Sequence, residues 1–223
     1  MKAHGSIDKY KVRLVVKGYM LMECFDYFDT YSLVTIITSI CMLIAIAALY
    51  NLEIHQMDVK TTFLNGELDE EIHMEQPEGF QVPSQEKKVC KLVKSLYGLK
   101  QAPKQWHEKF DHAMLSNGFK INECDKYVYV KNTGKGYVIV CLYMDDMLII
   151  GSNNDMIKST KKMLNKKFDM KDLGVADVIL GIKITRTSEE YVLSRSHYVE
   201  KILEKFGKHD NRPAKTPVNI SLH

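Results

Sequence analysis

The stretch Tyr137–Ile150 reads YVIVCLYMDDMLII, and its pattern decides the fold of the chain. Two short apolar runs, each typical of a buried strand, flank Asp145 and Asp146. An earlier apolar run, Tyr127–Val130, is separated from this stretch by the turn-forming letters NTG at residues 132–134. Strands joined by so short a connection pair antiparallel, so the sequence predicts a mainly antiparallel sheet rather than a purely parallel one.

Helical periodicity alternates with these strands. After Pro103, the residues Trp106, Phe110 and Met114 recur at four-residue spacing, which places them on one face of a helix. A second amphipathic segment, Asp155–Phe168, has apolar residues on one side and lysines on the other. Interleaved short strands and helices predict an α+β fold with the helices on one face of the sheet.

Weaker patterns suggest the remaining elements. Thr38 or Ser39 is expected to cap a buried helix that runs through Tyr50, and another helix is expected to end at Phe206-Gly207. The apolar run at residues 40–50 is much shorter than the roughly 18 residues that a membrane span requires. Further strands are predicted at Tyr10–Tyr19, Glu53–Val59, Glu70–Glu75, Val178–Thr185 and Tyr191–Ser194.

Composition limits the classes of function. The chain has 223 residues, of which 26% are charged and 45% hydrophobic, and its net charge is +3. This balance excludes a disordered tail, and it permits a nucleic-acid partner without arguing for one. Five scattered cysteines without a CxxC motif disfavour a disulfide framework or a zinc site. Because no signal peptide is visible, we expect a cytoplasmic protein without a membrane partner.

The adjacent carboxylates of Asp145 and Asp146 are the sharpest chemical signal. Buried strands do not tolerate paired anions without compensation, since desolvation and mutual repulsion both raise their pKa values. Mg²⁺ would compensate the charge, but an exposed Asp-Asp turn explains the same residues. Asp58 closes an extended segment, and it either faces the pair from a neighbouring strand or belongs to a cap or turn.

Four ordered motifs carry a resemblance to a known family. They are MDVKTTFLNG at residues 57–66, MEQPEGF at 74–80, LYGLKQAPKQW at 96–106 and YMDD at 143–146. Together they resemble the reverse transcriptase of copia-type LTR retrotransposons, and the similarity extends from YKVRLV at residues 10–15 to Tyr198. The resemblance implies an RNA-directed DNA polymerase that is a fragment of a Pol polyprotein.

The same resemblance implies the palm and partial fingers of a right-hand polymerase. Residues 36–62 and 103–194 would form the palm, an antiparallel sheet with helices on one face. Residues 1–35 and 63–102 would form part of the fingers, and residues 195–223 the start of the thumb. Residues 1–223 would then be one reverse transcriptase fragment.

The family's catalytic residues can be carried over through its motifs. Asp58 and Asp145 match the two metal-binding aspartates, and Asp146 matches the second aspartate of its motif. The resemblance implies that the carbonyl of Val59 would be a further metal ligand. Two Mg²⁺ ions, for which Mn²⁺ could substitute, would lower the pKa of a primer 3′-hydroxyl and stabilise charge on the α-phosphate.

Other residues match substrate positions of the family. Phe63 matches the bulky gate against a ribose 2′-hydroxyl, although core packing would also explain it. Gly98, Lys100 and Gln101 fall in the loop near template and nucleotide, where Gly permits close approach of the backbone. Without the family, these three residues indicate only a turn before a helix.

Basic residues suggest further contacts with nucleic acid. Lys11, Arg13 and Lys17 match the fingers strand whose cations meet triphosphate and template, or they form a solvated strand face. The lysines of Asp155–Phe168 could likewise follow a nucleic-acid backbone or form an ordinary solvated helix face.

The implied partners are an RNA or DNA template, a DNA primer, deoxynucleoside triphosphates (dNTPs) and the remainder of the Pol polyprotein. For an intact retrotransposon of this family, the resemblance implies that the protein and its nucleic acid lie in a virus-like particle. Ile36 and Cys41 stand where the family has arginines, so two cations are lost. The alternative function is an inactive transposon remnant with at most non-specific nucleic-acid binding.

Overall fold

The computed structural model describes residues 12–25, 27–28, 30, 35–134, 136–187 and 190–205, except for the side chain at position 197. The chain divides into two compact units, Met1–Val175 and Ala176–His223. The helices of the first unit, within the described residues, are α1 (Ile37–Leu49), α2 (Ala102–Ser116) and α3 (Asn154–Lys167). Its strands there are β1 (Glu53–Val59), β2 (His73–Glu75), β3 (Val89–Lys91), β4 (Lys120–Ile121), β5 (Val128–Thr133), β6 (Gly136–Tyr143), β7 (Asp146–Gly151) and β8 (Met170–Val175).

Six of these strands form one sheet in the order β4-β5-β6-β7-β1-β8. All of its neighbouring strands run antiparallel, so the predicted antiparallel sheet is confirmed. β2 and β3 pair antiparallel as a separate ribbon. The order places β1 beside β7, which brings together two motifs that lie far apart in the sequence.

The main core lies between the sheet and the helices α2 and α3. Trp106 and Phe110 of α2 and Leu164 of α3 are buried together with Val140 of β6 and Met147 of β7. The four-residue period of α2 therefore corresponds to its buried face, as predicted. Alternate residues of β6 and β7 supply the apolar surface that these two helices cover.

The expectation that all helices lie on one face is wrong for α1. Cys141 is next to Val140 on β6 and so points to the opposite face, where its Sγ lies 3.7 Å from the hydroxyl of Thr35, just before α1. α1 contacts β1 and β7. Leu148 and Ile150 of β7 are fully buried although they also point away from α2 and α3. Both faces of the central strands are apolar, so both need cover.

The predicted strand at residues 10–19 and the predicted N-cap of α1 are also wrong. No strand spans the described part of Tyr10–Tyr19, where Val15 makes one isolated bridge to Tyr97 and Gly18–Met20 forms a 3₁₀ turn. A strand needs a partner along its length, whereas Val12 is 94% exposed. α1 begins at Ile37 with Ile36 as its N-cap, so neither Thr38 nor Ser39 caps it.

The second unit contains a three-stranded antiparallel sheet of β9 (Val178–Ile179), β10 (Ile182–Arg186) and β11 (Tyr191–Ser194), followed by α4 (Ser196–Lys205). The predicted single strand at residues 178–185 is interrupted by a turn. Leu180 and Gly181 both have positive φ, 51° and 74°, which reverses the chain. The predicted helix end at Phe206-Gly207 lies outside the described residues.

Candidate active site

Three aspartates occupy neighbouring backbone positions where β1 ends and β7 begins. Asp58 of β1 is the register partner of Asp146, the first residue of β7. Asp145 precedes it in the two-residue turn that joins β6 to β7, and its side chain is exposed. The backbone N–H of Val59 donates to the Asp145 carbonyl at 2.8 Å, which ties the end of β1 to this turn.

A tryptophan of α2 holds the turn from the core side. Met144 adopts φ 55°, a left-handed conformation that is strained for a side chain with a Cβ. The indole Nε1 of Trp106 donates to the Met144 carbonyl at 3.2 Å. Trp106 is itself packed against Phe110 and Phe168, with ring centroids 5.6 and 5.1 Å away. The turn that carries Asp145 is therefore anchored to the main core.

Burial and two neighbouring carboxylates raise the pKa of Asp146. Burial raises the pKa of Asp146, and the negative charges of Asp145 and Asp58 raise it further. A hydrogen bond from Gln56 Nε2 to Asp146 Oδ1, 3.0 Å long, acts in the opposite direction. Gln56 was not identified from the sequence, although its two-residue spacing from Asp58 places both on the same face of β1.

The oxygen atoms of the three aspartates and of the Val59 carbonyl are the types of ligand that a hard divalent cation prefers. Carboxylate and carbonyl oxygens suit Mg²⁺, and a cation would relieve the repulsion that raises the pKa of Asp146. The Val59 carbonyl accepts a hydrogen bond from the Thr62 hydroxyl at 3.1 Å. A carbonyl oxygen has two lone pairs, so this bond leaves the second one for a cation. Among the described residues, no three His, Cys, Asp or Glu side chains converge closely enough to hold a metal as they stand.

A second group of predicted residues surrounds Tyr97. Phe63, in the 3₁₀ turn Thr62–Asn65, packs edge-on against the Tyr97 ring at a centroid distance of 5.1 Å. The guanidinium of Arg13 lies over the same ring, 5.7 Å from its centroid. A cavity of about 430 Å³ opens here, lined by Val12, Arg13, Leu14, Thr61, Leu64, Leu96 and Tyr97. Tyr97 belongs to one of the four sequence motifs, but no pattern in the sequence indicated that Phe63 and Arg13 would contact its ring.

Gly98 is required by a close approach of two backbone segments. Its φ is +94°, and a Cβ added at this position would lie 2.1 Å from the carbonyl oxygen of Val16. Val16 N–H in turn donates to the Tyr97 carbonyl at 2.8 Å. The loop of residues 96–101 thus lies directly against residues 15–18.

The other predicted substrate residues do not join this group closely. Lys17 Nζ lies 3.5 Å from Glu75 Oε2, and both side chains are mostly exposed. Lys100 is exposed, whereas Gln101 is only 2% exposed and lies inside the fold. Lys11 is outside the described residues. Among the helices of the described part, none is long and apolar enough to span a membrane.

Comparison with known proteins identifies the family. The sequence model of the family described as reverse transcriptase (RNA-dependent DNA polymerase) matches residues 2–220. The chain belongs to this family. The resemblance to copia-type elements noted from the motifs is thereby confirmed.

Two curated relatives that the chain resembles are Pol polyproteins of plant transposons. The chain is 48% identical over 213 residues to the retrovirus-related Pol polyprotein from transposon TNT 1-94 of Nicotiana tabacum, covering 94% of this chain and 16% of that protein. It is 36% identical over 214 residues to the Pol polyprotein from transposon RE1 of Arabidopsis thaliana, covering 96% of this chain and 15% of the relative. The chain therefore spans about one sixth of the length of these two Pol polyproteins. No solved structure matches it significantly.

Proposed function

We propose that the chain is the polymerase part of a copia-type Pol polyprotein and extends a DNA primer on an RNA or DNA template. The observation that carries this proposal is the register pairing of Asp58 with Asp146, with Asp145 on the adjoining turn, in a member of the reverse transcriptase family. Residues 36–62 and 103–194 act as the palm, and residues 1–35 and 63–102 as partial fingers. Residues 195–223 begin the thumb.

The three aspartates provide the negative charge that the reaction needs. Asp58 and Asp145 hold the divalent cations, with Asp146 beside them and the Val59 carbonyl as an extra ligand. Two Mg²⁺ ions held there, or Mn²⁺ in their place, would lower the pKa of the primer 3′-hydroxyl and stabilise charge on the α-phosphate and pyrophosphate. The hydrogen bond from Gln56 fixes one oxygen of Asp146, which orients that carboxylate.

The Tyr97 group selects and orients the nucleotide. Phe63 lies five residues after Asp58 and rests against Tyr97, so it can act as the gate that excludes a 2′-hydroxyl. Arg13 lines the neighbouring cavity, where its cation is available to a triphosphate. Lys11, Lys17 and Lys100 supply further positive charge to triphosphate or template.

The remaining assignments concern the context of the site. Gly98 sets the position of the loop, and the buried Gln101 is the N-cap residue of α2 at its end. The other parts of the Pol polyprotein are the expected protein partners, and the cytoplasm or a virus-like particle is the expected location.

Primer extension tests the proposal. We expect the folded chain to extend oligo(dT) on poly(rA) with dTTP and Mg²⁺, and Asp145→Asn to abolish extension while leaving the circular dichroism spectrum unchanged. Asp69→Asn, which removes an exposed carboxylate outside the site, is the matched control and should retain activity. Substantial activity of Asp145→Asn contradicts the metal assignment. No extension by a folded wild-type chain favours the inactive remnant instead, and directs attention to Ile36 and Cys41.

A further inference from the structure

The outer face of α3 carries a row of lysines that the proposed polymerase site does not use. Lys158, Lys162 and Lys166 are all exposed and follow one another at four-residue spacing. Residues at this spacing lie on one face of a helix, each about 6 Å beyond the last, so the row is about 12 Å long. Lys161 is excluded from this row because it points inward, where its Nζ lies 2.6 Å from Asp172 Oδ1.

The row is not neutralised by carboxylates. Other lysines form ion pairs, such as Lys109 with Glu67 at 2.8 Å and Lys104 with Glu108 at 3.6 Å. In the described part of the chain, no carboxylate lies within ion-pair distance of any lysine of the row. The acidic residue that α3 contributes is Asp155 in its first turn.

Helix stability does not explain the row. Cations near a helix C-terminus interact favourably with the helix dipole, which would account for Lys166 and its neighbour Lys167. Lys158 lies in the second turn of α3, outside the last turn where the dipole favours a cation. Like charges four residues apart also repel each other, so Lys158, Lys162 and Lys166 oppose the helix that carries them. An ordinary solvated face would alternate charges, as α2 does with Lys104 and Glu108.

The row faces away from the aspartates. Met57 and Met147 pack into the core beneath α2 and α3. Asp58 and Asp146 are their neighbours along the same strands, so these two aspartates project from the opposite face of the sheet. A ligand bound to the outer side of α3 is therefore separate from the reacting primer end.

We infer that the lysine row is a second nucleic-acid surface, which binds the phosphate backbone of a strand outside the active site. Three exposed lysines can neutralise up to three phosphates of one nucleic-acid strand. Point charges on flexible stems suit binding without sequence preference. This inference does not rest on the proposed polymerase activity, because phosphate binding requires none of the three aspartates.

Salt-dependent binding tests the inference. The affinity of the full chain for fluorescently labelled oligo(rA) and oligo(dA) is measured by anisotropy at several KCl concentrations. The test variant is the triple substitution Lys158→Gln, Lys162→Gln and Lys166→Gln. The control is the triple substitution Lys87→Gln, Lys88→Gln and Lys126→Gln, which removes the same charge from exposed positions elsewhere. A third protein carries arginine at the three test positions.

The expected result is specific in size. Losing three phosphate contacts on single strands reduces the slope of log K against log[salt] by about 2 for the test variant. The control should change the slope by less than half of this, and the arginine protein should keep the wild-type slope. Primer extension on a short template should be the same for wild type and test variant.

An unchanged slope in the test variant, or equal losses of slope in the test variant and the control, would overturn the inference. Equal binding of oligo(rA) and oligo(dA) supports backbone recognition, whereas binding of one alone contradicts it.

Discussion

Removing the charge of Asp146 should stabilise the metal-free protein. Asp58 and Asp146 are directly opposite on β1 and β7. Side chains in this relation start from Cβ atoms about 5 Å apart. Two unit charges at this distance repel by about 0.8 kcal/mol in water and by about 3 kcal/mol at an effective dielectric constant of 20. Asp146 is only half buried and Asp145 is exposed, so water screens these charges. We therefore expect the repulsion energy to lie near the lower limit, at about 1 kcal/mol.

Asp146→Asn removes this repulsion together with the cost of burying the negative charge. Asparagine keeps the shape of the side chain and an oxygen that can accept the hydrogen bond from Gln56. For a chain of this size, about 1 kcal/mol corresponds to a rise in Tm of roughly 2–4 °C. The assay is thermal unfolding followed by circular dichroism, at pH 7 and low ionic strength in the presence of EDTA, with Asp69→Asn as control.

The pH dependence gives a second check. The pKa of Asp146 is raised in the folded protein above its ordinary value of 3.8, so its ionisation opposes folding. The wild type therefore lacks this penalty below pH 3.8 and acquires it as the pH rises through the folded pKa. The Tm advantage of Asp146→Asn should be full at pH 7 and shrink as the pH falls towards 3.8. A Tm equal to or below that of wild type at pH 7, with an unchanged spectrum, would refute the reasoning.

Three further substitutions test the supports of the site. Trp106→Phe removes the donor to the Met144 carbonyl, so it should lower the free energy of unfolding by about 1 kcal/mol and reduce primer extension. Unchanged activity would count against the anchoring role. Gly98→Ala should lower the free energy of unfolding by about 2 kcal/mol or more. Gly79→Ala should cost less, because Gly79 also has a positive φ but an added Cβ there meets nothing within 4 Å. Equal losses in the two variants would contradict the close approach of Gly98 to Val16. Phe63→Ala should raise ribonucleotide incorporation relative to Leu68→Ala, and unchanged sugar selection would exclude the gate.

The sequence predicted well those elements whose pattern reflects a single dominant period. α2 was predicted because its four-residue period corresponds to burial of Trp106 and Phe110 against the sheet. The strands β6 and β7 were predicted because their residues are almost uniformly apolar. That same uniformity signals burial on both faces, and it was the missed indication that α1 covers the second face.

Contacts between distant segments were beyond the reach of periodicity. Residues 10–19 alternate like a strand, yet whether a strand forms depends on a partner, and Val15 finds only an isolated bridge. The hydrogen bonds from Gln56 to Asp146 and from Trp106 to the Met144 carbonyl join residues 90 and 38 positions apart. No local pattern specifies such pairs. The sequence suggested a position for Asp58 beside the aspartate pair only as one of two alternatives and through the family resemblance, and it specified no register with Asp146.

The central claim is that carboxylates from β1 and from the β6–β7 turn act together in metal-dependent nucleotidyl transfer. The most direct test is single-nucleotide incorporation of dTTP, measured for wild type, Asp58→Asn and Asp69→Asn at equal concentrations of folded protein, with Mg²⁺ and with EDTA. We expect incorporation by wild type and Asp69→Asn only with Mg²⁺, and a loss of at least about 100-fold in Asp58→Asn. Incorporation by Asp58→Asn within a few fold of wild type, or incorporation by wild type in EDTA, would contradict the account.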